Sequence, residues 1–316
     1  MKEIGGYFEL EKLISNEYHK NLIALNSGRN ALIYILKSRK IKKIYIPYYL
    51  CESVYEILKK CNYKYEFYKI KEDFLPDFNK ELPEDEYLYI VNYYGQINNK
   101  TINNLKEKYK NIILDNTHSF FQEPIKNIDT IYNCRKWFGV PDGAYLATNK
   151  ILEIGLEKDK SSERIKHLLG RFEENASKYY KDFQKNDENF EELDLKEMSD
   201  LTHNILGAID YEDIKNKRKR NYKILEEGFK KINKIELKEQ EVPFCYPLYL
   251  KNAIEIKKKL AEQKIYIPTL WPNVLEEVSQ DSIEYKYVKN ILPIPCDQRY
   301  DEEDMKYIIK NILLFI

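Results

Sequence analysis

Three side chains able to do proton and carbonyl chemistry stand near the middle of the chain. Asp115 closes the apolar run NIILD (111–115), His118 follows three residues on, and Lys136 follows DTIYNC (129–134). A carboxylate at the end of an apolar run is costly unless it meets a cation or hydrogen-bond donors. A lysine between an apolar run and Trp137-Phe138 is expected to be partly desolvated, a setting that favours the free amine needed to attack a carbonyl. Arg135 beside it adds like-charge repulsion in the same direction. Gly139, Asp142 and Gly143 fit a tight turn that would hold this lysine stiffly. Each residue also has a plain structural alternative. Asp115 can cap the next turn, His118 can be a packing residue, and Lys136 can point to solvent while its aromatic neighbours pack.

The stretch NSGRN (26–30) offers different chemistry. It lies between an apolar run and a helical pattern. The first N–H groups of that helix lack partners, and its dipole favours an anion there. Ser27 adds a hydroxyl and Arg29 a charge; the alternative is that Ser27 or Asn26 only caps the helix. A Walker lysine and GxGxxG are both missing, so nucleotide-fold readings are weak.

The elements that must position these residues alternate. Short apolar runs (NLIALN, KKIYIP, EYLYIV, NIILD, DTIYNC) are separated by helical patterns such as GRNALIYILKS, ESVYEILKKC and TINNLKEKY. This order predicts an α/β fold with a mostly parallel central sheet flanked by helices. From about 151 to 235 the chain reads as long, charged helices, including SSERIKHLLGRFEENASKYYKDFQK; shorter elements return after 240. The expected division is a large α/β domain over 1–210 and a smaller C-terminal α+β domain over 211–316. The basic run KNKRKRNYK (215–223) reads as a solvated helix face, with Arg220 and Tyr222 in reach of a second subunit. Asp301 is a cap candidate for the last helix.

In such sheets ligands bind beyond the carboxyl ends of the strands. The strand ends here carry Ser27-Gly28-Arg29, Tyr48-Tyr49-Leu50-Cys51, Tyr93-Tyr94-Gly95, Asp115 to His118, and Asn133 to Lys136. A phosphate cradle, an aromatic shelf, a carboxylate and a poised lysine together suit pyridoxal 5′-phosphate (PLP). The lysine would hold it as a Schiff base and the carboxylate would keep its ring nitrogen protonated.

Order and spacing also resemble the nucleotide-sugar aminotransferases of the DegT/StrS type, among the fold-type I PLP-dependent transferases. GGYFELE is similar to the family's N-terminal substrate-side segment. SGRNAL is similar to Ser-Gly-Thr-x-Ala-Leu, IPYYLCESV to Pro-x-x-Thr-aromatic, and VNYYG to His-x-Tyr-Gly. LDNTHSFF resembles Glu-Asp-Ala-Ala-Gln-Ala, and NCRKWFGVPDGAYL the lysine motif with its Gly-Asp-Gly-Gly. IPTLW and LPIPCDQRYDEEDM resemble the end of the small domain.

The resemblance implies Lys136 as the Schiff-base lysine, Asp115 as partner of the ring nitrogen and His118 in place of the glutamine at the ring hydroxyl. Ser27, Gly28, Arg29 and Asn133 would hold the phosphate, Tyr49 and Cys51 would line the ring, and Tyr7, Tyr94, Arg135 and Trp271 would face substrate. Arg29 replaces a usual threonine, and Cys51 falls where a stacking aromatic is common, leaving Tyr48 or Tyr49 to stack. The chain and its Asp–Lys interval are shorter than usual. The implied activity moves an amino group from glutamate to a keto sugar, nucleotide-linked, for cell-surface glycan synthesis, in a homodimer. A PLP-dependent dehydratase or lyase, or a non-catalytic PLP-fold binding subunit, are the alternatives; retention of a lysine favours transamination.

Composition bounds the rest. Hydrophobic residues are 43% and charged residues 33% of 316, an ordinary globular balance. Equal numbers of basic and acidic residues, 52 each, leave no net field to draw the chain onto nucleic acid or an anionic membrane. No apolar run approaches the roughly 18 residues of a membrane span. The start, MKEIGGYFELEKL, is charged where a secretory signal is apolar, so a cytoplasmic location is expected. The cysteines (51, 61, 134, 245, 296) are odd in number and lack a CxxC pair, which points to free thiols and no zinc site.

Overall fold

The computed structural model describes residues 4–316. Eight strands form one sheet: β1 (Ile23–Leu25), β2 (Lys43–Pro47), β3 (Lys64–Ile70), β4 (Pro76–Asp77), β5 (Glu86–Val91), β6 (Ile112–Asp115), β7 (Asp129–Asn133) and β8 (Ala144–Ala147). Their order is β1-β8-β7-β6-β5-β2-β3-β4. Strands β3, β2, β5, β6 and β7 run parallel, as the alternating pattern predicts. β8 is antiparallel to both β7 and β1, so β1 points the same way as the parallel set. Ile113 and Leu114 are fully buried, consistent with a strand covered on both faces.

Helices α1 (Gly28–Ser38), α2 (Glu52–Lys60) and α3 (Asn99–Tyr109) follow β1, β2 and β5. The start of α1 is set by Ser27, whose hydroxyl accepts from Asn30 N at 3.2 Å, and its apolar face (Ala31, Leu32, Ile35, Leu36) is buried.

Beyond the sheet come α4 (Lys166–Glu173), α5 (Tyr180–Glu192), α6 (Asp200–Gly207), α7 (Tyr211–Phe229), α8 (Ala253–Glu262), the single turn α9 (Val274–Glu277), α10 (Ile283–Asn290) and α11 (Glu302–Leu314). The charged stretch expected as one long helix is broken between α4 and α5. Gly170, inside α4, leaves room for the returning chain: a Cβ there would sit 2.4 Å from the Tyr179 ring. β9 (Cys245–Tyr249) and β10 (Ile291–Pro295) pair antiparallel and form a second core with Leu225, Phe229, Leu260 and Ile308. Asp301 caps α11 in a reciprocal box with Asp304. All five cysteines are free thiols. Among the described residues no helix is long and apolar enough to cross a membrane.

Candidate active site at the strand ends

Because β1, β2, β5, β6 and β7 share a direction, their carboxyl ends meet at one sheet edge. Asp115, the last residue of β6, is buried there. One carboxylate oxygen accepts from Thr117 N at 2.8 Å, the turn-capping role foreseen as its structural alternative. The other accepts from the Tyr89 hydroxyl at 2.7 Å. Burial raises the Asp115 pKa above the ordinary carboxylate value; the bonds from Thr117 and Tyr89 and the charge of Lys136 oppose it.

His118 is also buried, which pulls its pKa down to about 3, with the Lys136 charge acting the same way. Its ring is neutral at ordinary pH. Tyr94 N donates to Nδ1 at 3.3 Å, so the ring proton belongs on Nε2. Phe244 stacks on the ring at 4.2 Å between centroids and 10° between planes, and Trp271 lies nearly parallel to it at 5.6 Å.

Lys136 ends a single 3-10 turn (Cys134–Lys136) that leaves β7. The Asn133 side chain accepts from Arg135 N at 3.1 Å, and Trp137 Nε1 donates to Thr117 O at 2.8 Å, tying the lysine turn to the Asp115 turn. Behind it, Asp142 is fully buried and accepts from Ser199 N (2.9 Å), Ser199 Oγ (2.7 Å) and Thr202 Oγ1. Gly143, at φ +115°, donates to Asn26 O (2.9 Å) and accepts from Cys134 N (3.1 Å). The lysine turn, the Asp142 turn and the start of α1 are thus one hydrogen-bonded unit.

Two expectations about the lysine change. Trp137 and Phe138 pack inward as predicted, but Lys136 is exposed in the single chain rather than desolvated by them. Arg135 is not aimed alongside it: its guanidinium pairs with Asp187 at 3.0 Å and lies over the Phe190 ring at 4.0 Å. Lys136 is nonetheless near enough for its charge to act on both Asp115 and His118.

The residues expected to cradle an anion lie around the start of α1. A Cβ on Gly28 would lie 3.4 Å from Asn133 Nδ2, so the backbone of the first helical turn faces Asn133 closely. Arg29 Nη1 is buried without a hydrogen-bond partner. A phosphate would supply the missing acceptor, and a protonated ring nitrogen would supply the buried Asp115 with a cation it does not touch within the chain. The residues present therefore fit PLP at both ends of the molecule.

The other expected residues are distributed unevenly. Tyr49 and Tyr94 are buried and joined hydroxyl to hydroxyl at 2.9 Å, and Trp271 packs edge-on against Tyr49 at 4.5 Å. Tyr48 instead stacks on Phe67, away from this cluster. Cys51 accepts from Ser53 Oγ at 3.2 Å. Tyr7 is 98% exposed. Sequence reasoning missed Tyr89, Thr117 and Phe244. Only the position of Tyr89, two residues before the end of β5 and on a strand beside β6, carried a signal. Two surface clefts, of about 660 and 370 Å³, lie elsewhere, around Lys43 and Glu66 and around Glu17 and Tyr211. Neither contains these residues.

No family model and no curated protein matches the sequence. Solved structures do match in fold. A DegT DnrJ EryC1 StrS aminotransferase from Brucella abortus aligns with 93% of this chain and 85% of its own, at a TM-score of 0.63 and 16% identity. NtdA from Bacillus subtilis, with bound cofactor PMP, aligns with 93% of this chain and 72% of its own (TM-score 0.65, 14% identity). Helicobacter pylori PseC, an aminotransferase involved in pseudoaminic acid biosynthesis, aligns with 92% and 85% (TM-score 0.62, 14% identity). Across nearly its whole length, then, the chain has the fold of the sugar aminotransferases, the fold-type I architecture expected from its motifs.

Proposed function

We propose that this chain is a PLP-dependent aminotransferase, which transfers an amino group from an amino acid, glutamate, to a nucleotide-linked keto sugar. The observation that carries this reading is the meeting of Lys136, Asp115 and His118 at one sheet edge, beside a helix start with a buried, unpartnered arginine nitrogen. The similar structure with bound PMP supports it.

When bound, PLP supplies an electron sink for a C–H bond deprotonated beside it. The protein's part is to hold and to move protons. Asp115, fixed by Tyr89 and Thr117, offers a carboxylate oriented for a cationic ring nitrogen. His118, neutral and protonated on Nε2, offers a donor that stays uncharged down to acidic pH. Ser27, Gly28, Arg29 and Asn133 would hold the phosphate. Tyr49 and Cys51 would line the ring side, and Tyr94, Trp271, Arg135 and Tyr7 would face substrate. Lys136 Nζ would accept the proton from the substrate carbon and hold it for delivery to the adjoining carbon. Its exposure, and that of Tyr7, fit a homodimer in which a second copy closes the site. A cytoplasmic role in cell-surface glycan synthesis, with 1–210 as the cofactor domain and 211–316 as the smaller one, completes the proposal.

Adding PLP should produce an absorption band in the near-visible. Borohydride should then fix the label on the peptide holding Lys136, and glutamate should be consumed stoichiometrically with a keto-sugar acceptor. A label on another peptide, or turnover by Lys136→Ala, refutes the assignment; product without glutamate loss points to dehydration.

A further inference from the structure

The basic run on α7 hides one residue that is not at the surface. Arg218 is 1% exposed, whereas sequence patterning reads it as part of a solvated face. Its side chain touches three other segments. Nε donates to Gln298 Oε1 at 2.8 Å, and Nη1 donates to Pro243 O and Phe244 O, both at 3.1 Å. The guanidinium carbon lies 4.3 Å from the centroid of the Trp137 ring. Gln298 closes the circuit by donating to Trp137 O at 2.7 Å. Among the described residues no carboxylate forms an ion pair with Arg218; Asp297, nearby, is held by Arg299 at 2.7 Å.

A buried cation without a carboxylate partner is unfavourable unless oxygens and an aromatic face replace its water. Here those groups belong to two places that matter. Trp137 follows Lys136, and Phe244 is the ring stacked on His118. We infer that Arg218 is a positioning residue, which clamps the Lys136 turn to the 243–244 segment so that the lysine and the His118 stack are held as one unit. The clamp needs a planar fork. A lysine in its place has one nitrogen and cannot serve Gln298 and two carbonyls while lying flat on an indole.

This inference rests on the function proposed above, so its test includes a readout that does not. The chain has two tryptophans, at 137 and 271. In a Trp271→Phe optical background, acrylamide quenching reports Trp137 alone. Arg218→Met keeps apolar bulk and removes the fork. The expected result is at least a twofold rise in the quenching constant and, in the otherwise unaltered PLP-loaded protein, at least a tenfold loss of kcat with KM within threefold. Arg218→Lys should fail to restore either. Unchanged quenching, or raised quenching with kcat within twofold, overturns the inference. If Arg218→Met does not fold, Gln298→Ala, which breaks one side of the circuit, should move both readouts in the same directions; no movement overturns it. A wild-type protein that binds no PLP refutes the proposed function, and quenching then decides the clamp by itself.

Discussion

Replacing Gly143 by alanine should damage the protein far more than the same change at Gly139, four residues away in the same loop. Gly143 sits at φ +115°, where an L side chain is strained by about 1–3 kcal/mol. Its new Cβ would also meet Thr202 Cγ2 at 3.0 Å, Met198 Cε at 3.2 Å and Cys134 Cβ at 3.4 Å. Overpacking of that kind costs about 1–3 kcal/mol more. The expected loss is about 2–6 kcal/mol, a large part of the roughly 5–15 kcal/mol that typically holds a domain folded. Gly139 lacks that backbone conformation, and a Cβ there would find only Leu168 Cδ2 at 3.9 Å, so Gly139→Ala should stay within about 0.5 kcal/mol of wild type. Urea titrations of the two variants, followed by far-UV and near-UV circular dichroism, measure the difference. Since Gly143 also bonds Asn26 O and Cys134 N, PLP affinity should fall in Gly143→Ala and hold in Gly139→Ala. Equal stability of the two variants would refute the steric and conformational reasoning.

Ser27→Ala removes the cap of α1 and should cost about 0.5–2 kcal/mol by denaturant titration. It should also weaken PLP more than pyridoxal, which lacks the phosphate, in a spectral titration. Two histidines should shape stability against pH with opposite signs. His118 titrates near 3 when folded against the usual 6.5, so the unfolded chain takes up the proton first and stability falls as pH drops from about 6.5 toward 3; His118→Gln should flatten that limb in acid titrations. His203 is held above the usual 6.5, chiefly by its bond to Glu17 at 2.8 Å, so its contribution is complete below that pH and lost as pH rises through the folded value. His203→Gln should therefore be weaker than wild type at pH 5.5 and nearly equal to it at pH 9.

The strand ends were legible because each is a local signal. An apolar run stops at Asp115, Asn133 or Asn26, and a parallel sheet then brings all the stops to one edge. Ser27 as a cap and Asp301 before α11 are equally local. What escaped depends on partners distant in sequence. Arg218 looks like its neighbours Lys217 and Lys219; the carbonyls of 243 and 244, Gln298 and the Trp137 ring, 81 residues away, set it apart. The return of the chain onto Gly170 was hidden because the ring that fills the space beside it, Tyr179, is nine residues on. Arg135 follows the same logic. Its neighbour in sequence is Lys136, but its partners come from α5.

β1 has consequences for how the molecule is made. This three-residue strand touches the sheet only through β8, so its place exists only after residues 144–147 are available. Closing a connection that long is slow relative to forming the neighbouring parallel strands. The start of α1 is made before β8, so it must wait more than a hundred residues for its seat. Asn26 N must wait longer still, for Lys196 O. A nascent chain that stops before that point can carry every residue of the proposed anion cradle and still have no cradle.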